Sequence, residues 1–131
     1  MFLHLLNDSQ QRAFLALAKQ FVEADQTLSD EEHNLLELLW AETGQAFDAE
    51  LPEGDIETLA AAFDGKQIKA AVLLELITVG HSDLEFHPDE SAFIDRLAAA
   101  LGVEDATVKE MDAWVLRQIQ LAEDVEKFWT S

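Results

Sequence analysis

Along most of this chain apolar residues recur three and four positions apart, and nowhere do they alternate strictly with polar ones between hairpin turns. That spacing puts them on one face of a helix, so the chain reads as all-α. From Ser9 to Ala24, Phe14, Leu17, Ala18, Phe21 and Val22 form one stripe. A second helix starts in "LSDEEHNLLELLWAETG", where Ser29 and Glu32 have capping-box spacing and Gly44 stands where a helix stops. Pro52 and Gly54 then break the chain ahead of Asp55, the expected N-cap of a short helix through Ile56, Leu59, Ala60 and Phe63. Gln67 to Gly80 is apolar nearly all round, as expected of a central helix. Pro88 opens a further helix that Gly102 closes, and a last one runs from a cap at Asp105 through Val108, Met111, Val115, Ile119, Ala122 and on toward Trp129. The expectation is an all-α compact bundle of six or seven helices.

At 131 residues, residues 1–131 are expected to form a single domain around one core. Hydrophobic residues make up 49%, enough to collapse despite a net charge of −19, so that charge belongs on a folded surface. Thirteen acids and no Lys or Arg fall between Lys19 and Lys66. Such a surface repels phosphate backbones and anionic lipid, which argues against nucleic acid and for cations or a basic protein partner. With no cysteine, thiolate metal sites, disulfides and cysteine nucleophiles are excluded. "MFLHLLND" lacks the basic leader and cleavage site of a signal peptide, and "AAVLLELITVG", interrupted by Glu75, is too short for a membrane span of roughly 20 residues. A soluble cytoplasmic protein is expected.

Two segments echo each other. Laying Glu23–Leu39 over His81–Leu97 pairs Asp25 with Asp83, Leu28 with Phe86, Glu31 with Asp89, Glu32 with Glu90 and Leu36 with Ile94. Each copy ends one helix and starts another, so the bundle is read as two pseudo-repeated helical hairpins. Acids in a first helical turn are stabilised by the helix dipole, by about 0.3–1 kcal/mol each, and Leu28 and Phe86 have the placement of hydrophobic staples. Asp25 and Asp83 close incoming helices, where the dipole opposes a carboxylate. The loops lack the first ligand and the glycine of an EF-hand. One reading brings Asp25, Glu32, Asp83 and Glu90 together across a pseudo-twofold around a divalent cation, with hard oxygen ligands favouring Ca²⁺, Mg²⁺ or Mn²⁺. His81 and His87 beside Asp83 would bias that site toward a transition metal. The other reading needs no metal: the acids cap helices and accept from loop amides.

The segments "FVEADQTLSDEEHNLLELL" and "ITVGHSDLEFHPDESAFIDRLAAALGV" resemble the two signature segments of the TerB-like tellurite-resistance family. The resemblance runs from about Arg12 to Val103. It places the family's acidic positions on Asp25, Glu32, Asp83 and Glu90. It departs where the family has a glycine after each Asp, here Gln26 and Leu84, residues less suited to a tight turn. What the resemblance implies is an all-α, largely cytoplasmic protein of tellurite resistance and stress response, acting as an acidic interaction or metal-sensing module without catalysis.

The expected function is therefore a non-enzymatic interaction module, with a divalent cation or with no cofactor. The alternative is a polyanionic mimic or plain scaffold that binds a basic protein without metal. No phosphate-binding glycine loop, H-E-x-x-H or G-x-S-x-G motif supports an enzyme. Trp40 and Trp114 are expected in the core, while Phe128 and Trp129 either fold back or dock against another chain.

Overall fold

A computed structural model of the chain describes residues 2–23, 30–45, 50–81 and 88–129, apart from the side chains of 31, 32 and 35. Among the described residues a 3-10 turn at Leu3–Leu5 is followed by six α-helices: α1 (Asp8–Val22), α2 (Asp30–Thr43), α3 (Ile56–Ala60), α4 (Lys66–Gly80), α5 (Pro88–Leu101) and α6 (Asp105–Val125). A second 3-10 turn covers Glu126–Phe128, and no strand occurs among the described residues.

Local chemistry sets most of the helix ends. α1 starts one residue earlier than expected because Asn7 makes a capping box: its side chain accepts the Gln10 N–H at 2.8 Å while the Gln10 side chain accepts the Asn7 N–H at 3.0 Å. Asp55 caps α3 as expected, accepting the Thr58 N–H at 2.8 Å. Asp105 is not a cap. Glu104 occupies that position in extended backbone without a side-chain hydrogen bond, and the Asp105 carboxylate pairs instead with Lys109, one turn on, at 3.3 Å. As the first helical residue it still meets the positive end of the dipole.

The hairpin repeat holds to the residue. Shifting α1 by 58 positions gives the bounds of α4, and the same shift turns α2 into α5. Gly44 and Gly102, one position beyond α2 and α5, both have φ of 74°, a left-handed conformation that glycine adopts without a Cβ penalty. After Gly102 the Val103 N–H returns to the Ala98 carbonyl at 2.9 Å, closing the helix end.

α4 packs against the first 3-10 turn, α1, α5 and α6, and α1 packs against α2, α3, α4 and α5, so the two equivalent helices share the centre that the sequence pattern assigns to α4 alone. Ala13 to Ala18 are six consecutive buried residues, joined by Phe21 and Val22. Opposite them lie Val72, Leu73, Leu76 and Ile77 of α4 and Ile94, Leu97 and Leu101 of α5. Burial of each such large side chain is worth about 1.5–3 kcal/mol. Trp40 and Trp114 are half-buried against this core, whereas Phe128 and Trp129 are exposed. Glu75, the one charge in α4's most apolar stretch, is buried and accepts the Phe2 N–H at 2.5 Å. That bond fastens the first 3-10 turn across α4.

Candidate site at the shared end of the hairpins

α4 and α5 run antiparallel: Lys66, Lys69 and Ala70 share one cleft with Leu101–Glu104, and Ile77 and His81 share another with Ser91, Ile94 and Asp95. The end of α4 therefore lies beside the start of α5. Phe21, in the last turn of α1, meets Phe93, in the second turn of α5, edge to face with centroids 5.4 Å apart. The ends of α1 and α4 and the start of α5, three of the four helix ends that flank segments 24–29 and 82–87, are thus gathered at one end of the bundle, as a pseudo-twofold pairing of the two hairpins requires.

Of the four acids singled out in the sequence, Asp25 and Asp83 lie outside the described residues, together with Ser29, Leu28, Phe86 and His87. Glu32 is in the first turn of α2, its side chain outside the description. Glu90 is described, and it is not a surface acid. Only 2% of it is exposed, while its neighbour Asp89 is open to solvent. Its place explains this: Glu90 stands three, four and seven residues before Phe93, Ile94 and Leu97 and so heads the buried stripe of α5. Glu32 has the same spacing before Leu36 and Leu39. A carboxylate held there is disfavoured by desolvation and favoured by the amino end of the helix and by any cation or donor that meets it.

Beside this end is a cleft of about 360 Å³ lined by Ile77, His81, Ser91, Ile94, Asp95, Asp105, Val108, Lys109 and Asp112. His81, at the cap of α4, has Nε2 2.6 Å from Asp112 Oδ1 on α6. The histidine expected beside Asp83 thus has this nitrogen directed across the cleft to α6. Asp95 and Asp105 add two carboxylates opposite the single ammonium of Lys109. The cleft is suited to cationic groups. Sequence reading passed over Asp112, although a signal exists: it stands four residues after Val108 and three before Val115, an acid at the edge of the inward face. Among the described residues no group of three or more His, Asp or Glu is arranged to hold a metal ion. His4 and His33 are exposed, and His33 lies 3.2 Å from Glu37.

The sequence model of the family described as tellurite resistance protein TerB matches residues 41–113, more than half of the chain. The chain belongs to the TerB family. No curated protein and no solved structure matches it. The TerB match holds the whole second hairpin, with Asp83 and Glu90, and the first half of α6 with Asp112. Asp25 and Glu32 precede it. They join the TerB positions through the repeat, whose helix bounds coincide after the 58-residue shift. No helix among the described residues is long and apolar enough to cross a membrane.

Proposed function

We propose that this TerB-family chain is a non-enzymatic, acidic interaction module of the cytoplasmic stress response, and that Asp25, Glu32, Asp83 and Glu90 together hold a divalent cation. The observation that carries the cation reading is Glu90: a buried carboxylate at the head of α5, at the end of the bundle where α1 and α4 stop. Oxygen ligands of this kind suit Ca²⁺, Mg²⁺ or Mn²⁺, and a cation shared by two loops would cross-link the hairpins at the end where their dipoles oppose Asp25 and Asp83. The non-enzymatic reading is supported by the lack of cysteine and of a phosphate-binding glycine loop.

Amide NMR of the metal-stripped protein, titrated with Ca²⁺, Mg²⁺, Mn²⁺ and Zn²⁺, tests this. One ion should perturb the amides around positions 25, 32, 83 and 90 together and saturably, and Asp25→Asn and Asp83→Asn should each abolish the response. Small, unsaturated shifts spread over the acidic surface would remove the cation. A second reading, a metal-free scaffold for a basic protein, is favoured by a separate observation, the apolar surface left exposed on α6.

A further inference from the structure

α6 is the longest helix among the described residues, and its apolar residues follow a spacing of three and four: Val108, Met111, Val115, Ile119, Ala122 and Val125, with Trp129 four residues further on, after the second 3-10 turn. A repeat averaging 3.5 residues is the seam along which one helix packs on another. As far as Ile119 the seam is used inside the protein, where Val108 and Val115 are buried, Met111 and Ile119 are packed on the core, and the helix lies against α4. Beyond Ile119 the seam continues into solvent, through the last turn of α6 and the 3-10 turn that follows it. Val125 is 39% exposed and Trp129 67%, and beside them Leu121 and Phe128, seven residues apart, are 60% and 76% exposed.

We infer that the free half of α6 docks an amphipathic helix of another protein, one whose apolar face is bordered by Lys and Arg. The spacing selects a helix, because a helix presents side chains in register with the 3.5-residue seam that is left exposed from Leu121 to Trp129. The charge selects a basic one. Glu123, Asp124 and Glu126 border the seam, Lys127 is the only cation between Gln118 and Trp129, and that Lys lies over the Phe128 ring at 5.3 Å. A second copy of this chain would bring the same acids together between two bodies of charge −19, and an anionic bilayer would be repelled likewise. The inference rests on the reading of the chain as an interaction module and is independent of any cation at the hairpin ends.

The test uses a synthetic Leu/Lys amphipathic helical peptide of about five turns, enough to span the exposed seam, with a Leu/Glu peptide of the same pattern as control. Isotope-labelled protein at physiological salt is titrated and followed by amide and Trp indole NMR. The Leu/Lys peptide should bind saturably, with shifts confined to the second half of α6 and the Trp129 indole. Leu121→Ser with Phe128→Ser should weaken it by about tenfold or more, as expected when exposed anchors of an interface are lost without disturbing the core. Equal binding of the Leu/Glu peptide overturns the inference, as does a protein that sediments as a dimer through this face. Saturable binding centred elsewhere overturns the α6 surface while leaving the interaction module standing. Absence of binding to either peptide overturns the surface and counts against the module as well.

Discussion

Ionisable residues in this protein divide according to what surrounds the carboxylate. Glu75 and Glu90 are buried in stripes that are otherwise apolar, one bound to a backbone N–H and the other at a helix start, while Glu57 is exposed and meets Arg96 through two hydrogen bonds of 2.7 Å each. That fork, joining α3 to α5, holds the Glu57 carboxyl below its ordinary value of 4.5, and Thr58 does the same for Asp55 from 3.8. Because the folded-state pKa is lowered, the Glu57 contribution is present above pH 4.5 and fades as the pH falls through the folded value. In urea unfolding, Glu57→Gln should therefore lower stability slightly at neutral pH and converge with wild type in acid. A gap that stays constant down to the acid limit would assign the effect to packing instead. Both partners are exposed, so the difference is small.

At the scale of elements, one contact that joins the hairpins is the one between Phe21 and Phe93. Phe21 has no exposed surface and its ring meets Phe93 at 69°. Phe21→Ala should cost about 3–5 kcal/mol in urea unfolding, the range for truncating a buried phenylalanine. Phe21→Leu keeps most of the volume and should cost far less, losing chiefly the edge-to-face pairing, worth about 0.5–1.5 kcal/mol. If the two substitutions were equally mild, the hairpins would be held by other contacts and the gathering of helix ends would not depend on this pair. Helix identity and order were legible from apolar spacing and from Pro88, Gly44 and Gly102, since these act within one or two turns of chain. The first 3-10 turn was not, because Leu3 is buried by its packing on α4 and α2 rather than by any periodicity of its own. The true cap at Glu104 was missed for a similar reason: Asp105 is the better capping residue by type, but its carboxylate goes to Lys109.

For the whole molecule, charge is the dominant long-range term. A net charge of −19 on 131 residues opposes compaction through self-repulsion, and salt screens it over a Debye length of about 10 Å at 0.1 M and about 3 Å at 1 M. The melting temperature should rise by several degrees between low salt and 0.5 M NaCl in calorimetry. A flat or falling response would mean that the acids are already balanced within the fold. Divalent salt matched in ionic strength should give a further rise at millimolar concentration if the hairpin ends hold a cation, because a ligand of the folded state stabilises by mass action rather than by screening.

The sequence by itself determined the helical class, the two-hairpin repeat with its 58-residue offset, and the acidic character of the surface, since periodicity, caps and composition are local or additive properties. Membership of the TerB family follows from the same residues. Only the tertiary structure decided that Glu90 is buried while Asp89 is not, that His81 turns to Asp112 thirty-one positions away, and that the seam of α6 runs past the body that covers its first half. Each of these depends on which helix lies opposite a given face. That is set by the packing of the whole chain, and spacing along one helix carries no record of its neighbour.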